Sequence, residues 1–256
     1  MGPLPWKGGG EALIRGLWFY PAALALTFYL AGRVVLSSIL GSSKLGCHCR
    51  DFPRLWARLL IRWSGGSVEV EGLERVDWDR PMVMVANHQS WFDVFAILAD
   101  IPANLRFVAK EELARIPIFG RAWQACGHVS VNRSNRGEAI ASLERAAARI
   151  RDESLAVIFF PEGTRSPDGR LQDFKKGAFV LALQTDVPVV PLGISGSRAV
   201  MPKGSFRIRP GRIRIRVGEP IPTAGMTHGD RGRLLEQART AVAELMEDPD
   251  ALAAGR

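Results

Sequence analysis

Apolar positions along the 256-residue chain fall into three textures. The first is an uncharged run from Gly16 to Gly32, bounded by Arg15 and Arg33 and carried on by Val34, Val35, Leu36, Ile39 and Leu40. A bilayer-spanning helix needs about 20 apolar residues, with about 17 as the lower limit, so the run predicts a membrane segment that either spans or re-enters. A cleaved leader has a similar short apolar core, but Glu11 and Trp18 are poor flanks for one and no A-x-A site follows. The second texture lies between Asp51 and Ser64, where Leu55, Trp56, Leu59, Leu60 and Trp63 recur at the spacings of a helical stripe. Arg54, Arg58 and Arg62 stand every fourth residue on a neighbouring face, as in a helix lying at a lipid–water boundary. A surface helix packed on the protein's own core gives the same pattern. Gly65-Gly66 ends this helix.

From Val68 onward, short apolar runs alternate with helical patterns. Val68 to Val70, Met82 to Ala86, Phe107 to Ala109, Val129 to Val131, Val157 to Phe160 and Val189 to Ile194 read as strands. Phe92 to Asp100, Phe119 to Cys126, Glu138 to Arg151, Ala178 to Asp186 and Arg231 to Met246 read as helices. The alternation predicts an α/β fold with a central, mostly parallel sheet flanked by helices over residues 67–256. Residues 1–66 are expected to form an amino-terminal two-helix membrane module ahead of it. Phe206 to Arg209 and Arg212 to Val217 flank Pro210-Gly211, which predicts a hairpin with arginine alternating on one face.

Composition narrows the class. Hydrophobic residues at 47% and charged residues at 23% are globular values and exclude a disordered or fibrous chain. Lys+Arg 34 against Asp+Glu 26 leaves +8, which asks for an anionic partner: nucleic acid, an acidic membrane or a phosphorylated substrate. Three cysteines form no disulfide framework, so a reducing compartment is expected. Cys47-His48-Cys49 has no second cluster to complete a tetrahedral metal site, so no metal is expected.

Two clusters carry chemistry. The strand ending at Ala86 runs into Asn87-His88-Gln89-Ser90-Trp91-Phe92-Asp93. A carboxylate five positions after a histidine can hold the ring's Nδ1–H and leave Nε2 free to take a proton. Ser90-x-x-Asp93 equally resembles a capping box, in which Asp93 starts the helix. The second cluster, Phe160 to Ser166, follows another strand, where α/β folds bind ligands. Arg165 there offers a planar fork for phosphate oxygens and Gly163 permits close backbone approach. A solvated turn is the plain alternative, since Ser166-Pro167-Asp168-Gly169 is turn chemistry. No serine stands in a G-x-S-x-G elbow, which argues against a covalent acyl-enzyme.

His88 to Asp93 together with Phe160 to Ser166 closely resembles the glycerolipid acyltransferases related to 1-acylglycerol-3-phosphate acyltransferase. Lys110 to Leu113 through Pro117 to Gly120, Gly127 to Arg133, and Val187 to Pro191 resemble further blocks of that family in the right order. The resemblance covers roughly Glu69 to Val217. It implies a glycerol-3-phosphate acyltransferase-like fold, membrane-binding helices ahead of it, His88 as catalytic base and Asp93 as its orienting partner. It also implies an acceptor site from Glu162, Gly163, Thr164 and Arg165, with Lys110 and Arg133 as further phosphate contacts. A surface salt bridge is the plain alternative for those last two.

The expected reaction moves an acyl chain from acyl-CoA or acyl-carrier protein to lysophosphatidate. No cofactor is expected, because the thioester already activates the acyl group. Another acceptor within the family, glycerol 3-phosphate or a lyso-lipid of the ornithine type, is the runner-up, followed by a non-catalytic membrane-binding relative. A lipase or thioesterase would not need phosphate-binding arginines. A nucleic-acid partner finds no motif here, and the arginines of the interfacial helix and hairpin suit anionic lipid headgroups. The protein is therefore expected at a membrane, with its catalytic domain on the cytoplasmic face of a bacterial inner membrane.

Overall fold

In the sheet's central strand every side chain is apolar, and alternate residues serve opposite faces. A computed structural model, which describes residues 9–132 and 136–247, shows where each face goes. Helices α1 (Gly9–Ile39) and α2 (Leu45–Ser64) come first. There follow β1 (Ser67–Glu71), β2 (Met82–Ala86), α3 (Trp91–Asp100), β3 (Leu105–Lys110), α4 (Phe119–Ala125), β4 (Val129–Val131) and α5 (Arg136–Asp152). The chain ends with β5 (Ala156–Phe159), α6 (Gly177–Thr185), β6 (Val189–Ser195), α7 (Ser197–Val200), β7 (Arg212–Val217) and α8 (Arg231–Leu245). Met82, Met84 and Ala86 of β2 face a core shared with α1, α2 and α3, while Val83 and Val85 face one shared with α6 and α8. Covering both faces is what lets so apolar a strand pair in parallel at the centre of the sheet.

The seven strands lie in the order β1-β7-β6-β2-β5-β3-β4. β6, β2, β5, β3 and β4 run parallel, so the chain leaves β2, β5 and β3 at one edge of the sheet. The expected α/β architecture and every expected strand and helix of the body are present, apart from the hairpin. β7 pairs antiparallel with β6 and parallel with β1, and Phe206 to Arg209 forms no strand. Ile213, Ile215 and Val217 point into the core, and the alternating arginines face neighbouring carboxylates. Arg214 stands opposite Glu69 and Arg216 opposite Glu71, and both also bind Glu247. These arginines are cross-strand ion pairs rather than lipid contacts.

The second helix also departs from its expected role. Its buried stripe is Ala57, Leu60, Ile61 and Ser64, set against the sheet. Arg54 donates to the carbonyls of Ile101 and Ala103, and Arg58 to that of Ala99, which satisfies the free carbonyls at the end of α3. Arg54 and Arg58 therefore dock α2 onto the domain. Phe19 of α1 joins the same core, so the division at residues 66/67 marks the end of a helix and not the limit of a core. The opposite face of α1 stays apolar and uncovered at Leu17, Leu24, Tyr29, Leu36 and Ile39. Its Gly16–Ile39 stretch of 24 residues is long and apolar enough to cross a membrane, and only 22% of it is buried within the protein.

The cysteines correct a third expectation. Cys49 of α2 and Cys126, which follows α4, form a disulfide across 77 residues of sequence, both nearly inaccessible to solvent, while Cys47 is exposed and free. Their spacing carried no signal because tertiary packing of α2 against α4 brings them together. His48 turns away to the Ser37 hydroxyl at 2.7 Å, so the Cys-His-Cys run diverges in three directions. Closing a loop of this length contributes about 4 kcal/mol by the chain-entropy estimate. Thiol counting on denatured, unreduced protein should give one reactive cysteine per chain, and three after reduction. Three without reductant would remove the bridge.

Candidate active site

The site grows from the start of α3. Ser90 caps the helix with its hydroxyl accepting from Phe92 N–H at 3.1 Å, and Asp93 reaches back to Ser90 N–H at 2.8 Å. The same Asp93 oxygen, Oδ2, accepts from Gln89 N–H at 2.6 Å and stands 2.8 Å from His88 Nδ1. Asp93 thus makes the contacts of both readings, the helix cap and the ring. With Asp93 wholly buried and His88 partly exposed, the ring's free nitrogen Nε2 is left for a ligand.

The loop after β5 holds His88 from three sides. His88 N–H donates to Glu162 Oε1 at 2.6 Å, Ser166 N–H donates to the His88 carbonyl at 2.7 Å, and the Phe160 ring stacks on the imidazole with centroids 4.0 Å apart. Glu162 Oε2 accepts from Gln172 N–H at 3.1 Å. With 5% exposure and both oxygens turned inward, Glu162 is not open to an acceptor; it sets the histidine backbone instead. Burial pushes its carboxyl up to about 7, against the pull of the two N–H donors and helped by the nearby Asp93 charge.

Gly163, Thr164 and Arg165 face outward from the same loop. Gly163 adopts φ +75°, a backbone conformation that suits glycine, and Lys175 Nζ lies close to it. Arg165 lies over the Trp91 ring at 5.3 Å, which supports the guanidinium and leaves its edge free for oxygen ligands. Lys203 Nζ donates to Thr164 Oγ1 at 3.2 Å. Lys110, at the end of β3, is exposed and 3.9 Å from Glu112. Arg133 lies outside the described residues. Lys175 and Lys203 escaped sequence reasoning because each reaches the loop from a distant segment.

His88, Gly163, Thr164, Arg165 and Lys110 border a cavity of about 510 Å³ that runs between α1, α2, α3, β3 and α4. Its remaining wall is apolar, with Leu30, Val34, Trp56, Phe95, Leu98 and Trp123 among the lining. His128 also lines it, stacked on Trp123 at 4.2 Å with Nδ1 accepting from Phe107 N–H at 3.1 Å. Burial, with Arg106 adding to it, lowers this histidine to about 3, which favours its neutral form near pH 7. Among the described residues, no group of three or more His, Cys, Asp or Glu is placed to hold a metal ion.

A histidine oriented by a buried carboxylate, at the polar end of an apolar cavity and beside exposed cations, can deprotonate a hydroxyl next to a bound acyl chain. The Acyltransferase family model matches residues 67–195, and the chain belongs to that family. It is 33% identical over 252 residues to the 1-acyl-sn-glycerol-3-phosphate acyltransferase alpha of Ovis aries, covering 91% of this chain and 88% of that protein. It is 37% identical over 197 residues to a chloroplast 1-acyl-sn-glycerol-3-phosphate acyltransferase of Arabidopsis thaliana, covering 76% of this chain and 53% of that one. The chain thus spans about half the length of the plant relatives it matches. The crystal structure of the 1-acyl-sn-glycerophosphate acyltransferase from Thermotoga maritima superposes with a TM-score of 0.76 at 32% identity, over 92% of this chain and 96% of that one.

The raised Glu162 carboxyl has a thermodynamic consequence. The folded state favours its protonated form, so the stabilisation is full below the ordinary value of 4.5 and is lost as pH rises to about 7. The difference amounts to about 3 kcal/mol. Glu162→Gln should therefore flatten the fall in melting temperature between those pH values relative to wild type. Parallel profiles for the two proteins would place Glu162 in an ordinary, ionised state.

Proposed function

We propose that this protein transfers an acyl group from acyl-CoA or acyl-carrier protein to the sn-2 hydroxyl of lysophosphatidate, giving phosphatidate. The observation that carries the reading is the 2.8 Å His88–Asp93 contact at the polar end of the apolar cavity. A glycerol hydroxyl is a poor nucleophile and needs a base within hydrogen-bond reach as it attacks. His88 Nε2 takes the hydroxyl proton while Asp93 holds Nδ1–H and stabilises the imidazolium. The alkoxide oxygen bonds to the thioester carbonyl carbon, the carbon–sulfur bond breaks from the tetrahedral adduct, and the leaving thiolate recovers the proton from His88.

The cavity receives the acyl chain of the donor, since its wall offers apolar contact along its length. Arg165 takes the acceptor phosphate with a charge-assisted fork, with Gly163, Thr164, Lys110 and Lys203 around it and Arg133 as a further family-motif candidate. Glu162 acts through the His88 backbone. The uncovered apolar face of α1 supports membrane association; in this reading the catalytic domain lies on the cytoplasmic side of a bacterial inner membrane.

His88→Ala should lower kcat by about 10³-fold with fold and vesicle binding intact. Retained turnover would remove the histidine from the base role. Arg165→Ala should raise the acceptor KM about tenfold and leave the donor KM unchanged. The deciding assay offers both thioester donors with lysophosphatidate, glycerol 3-phosphate or a phosphate-free lyso-lipid. Phosphatidate from lysophosphatidate alone is the expected product. Transfer to the phosphate-free lipid would dismiss the phosphate site, and no transfer at all would favour a non-catalytic relative.

A further inference from the structure

Between α7 and β7 the chain forms a loop, residues 201–211, that presents Phe206 at 81% exposure, the highest of any large apolar side chain among the described residues. The loop is fixed at both ends. Met201 and Ile208 on either side are buried in the main core. Arg209 N–H donates to the Val200 carbonyl at 3.0 Å, and Ser205 N–H to that of Pro202 at 3.1 Å. The Tyr20 hydroxyl of α1 donates to the Phe206 carbonyl at 2.7 Å, and the two rings meet edge-on at 6.2 Å. A backbone held this way cannot tuck the phenyl ring into the core, so its exposure is built into the fold.

What surrounds the ring identifies the partner. Leu17 and Leu24, on the uncovered face of α1, flank Tyr20 and continue the apolar surface. Arg207 and Arg209 are exposed beside Phe206 and, among the described residues, neither pairs with a carboxylate. An apolar ring flanked by unpaired cations matches the boundary between acyl chains and anionic headgroups.

We propose that this loop is a second membrane-contact element, with Phe206 entering an anionic bilayer and Arg207 and Arg209 engaging lipid phosphates. The inference rests on the proposed membrane association of α1. Lys203 in the same loop touches Thr164, so the loop lies beside the candidate acceptor loop.

The test labels Phe206→Cys with an environment-sensitive fluorophore in the full chain carrying Cys47→Ser. Leu24→Cys reports α1, and Glu236→Cys on α8 serves as the aqueous control. Vesicles of phosphatidylcholine, with and without phosphatidylglycerol, carry nitroxide-labelled lipid as quencher. The expected result is blue-shifted, quenched emission at positions 206 and 24 and none at 236. Phe206→Ser should weaken partitioning onto the anionic vesicles about tenfold. Quenching at 24 with an aqueous probe at 206 would overturn the loop's role and keep that of α1. Protein that fails to float with vesicles would overturn both.

Discussion

The site depends on burying one carboxylate at the start of a helix. An ionised group removed from water costs several kcal/mol unless donors replace the lost hydration. Asp93 Oδ2 collects two backbone N–H groups and the His88 ring within 2.6 to 2.8 Å, at the amino end of α3 where the helix dipole favours negative charge. Ring orientation and helix initiation are therefore one interaction. A change that frees the ring also disturbs the cap, which ties the chemistry to the packing of α3 beneath it.

The neighbours of Asp93 extend this coupling to the rest of the sheet. Asn87 exchanges two side-chain hydrogen bonds with Ile194 of β6, Gln89 donates to Gly169, and the Ser90 hydroxyl donates to Met201. His88 is gripped by the loop after β5. The polar residues of the segment thus bind β6, the β5–α6 connection and the end of α7, which satisfies groups that burial would otherwise penalise. The loop from Phe160 to Ser166 has two faces. Phe160, Glu162 and Ser166 fix the histidine, while Gly163, Thr164 and Arg165 turn to the cavity. Transition-state stabilisation by fixed groups needs this kind of pre-set geometry.

Most of the body was legible because its strands are short apolar runs and its helices carry period and caps. The site was legible where it lies within a few residues of sequence, as with His88 and Asp93. What depends on distant pairing was not. The Pro210-Gly211 turn signal suggested a hairpin, but strand partners are chosen by packing, and β7 found β6 and β1. The regular Arg54 and Arg58 looked like lipid contacts until α3 ended beneath them. Glu162 shares a motif with Arg165, and only the fold shows that one points inward and the other outward. Cys49 and Cys126, and Lys175 and Lys203, needed the tertiary structure for the same reason.

The proposed roles of the cavity, the cations and the apolar face of α1 all depend on the oriented histidine, so the central claim is that His88 and Asp93 act as one base. The most direct test is kcat for lysophosphatidate acylation by Asp93→Asn, measured beside its thermal unfolding. An amide cannot replace the carboxylate as acceptor for the backbone donors and the ring together. A fall of at least about 100-fold in kcat, in a variant that still unfolds cooperatively although at a lower melting temperature, is the expected result. A folded variant that keeps kcat within a few-fold of wild type would contradict the claim.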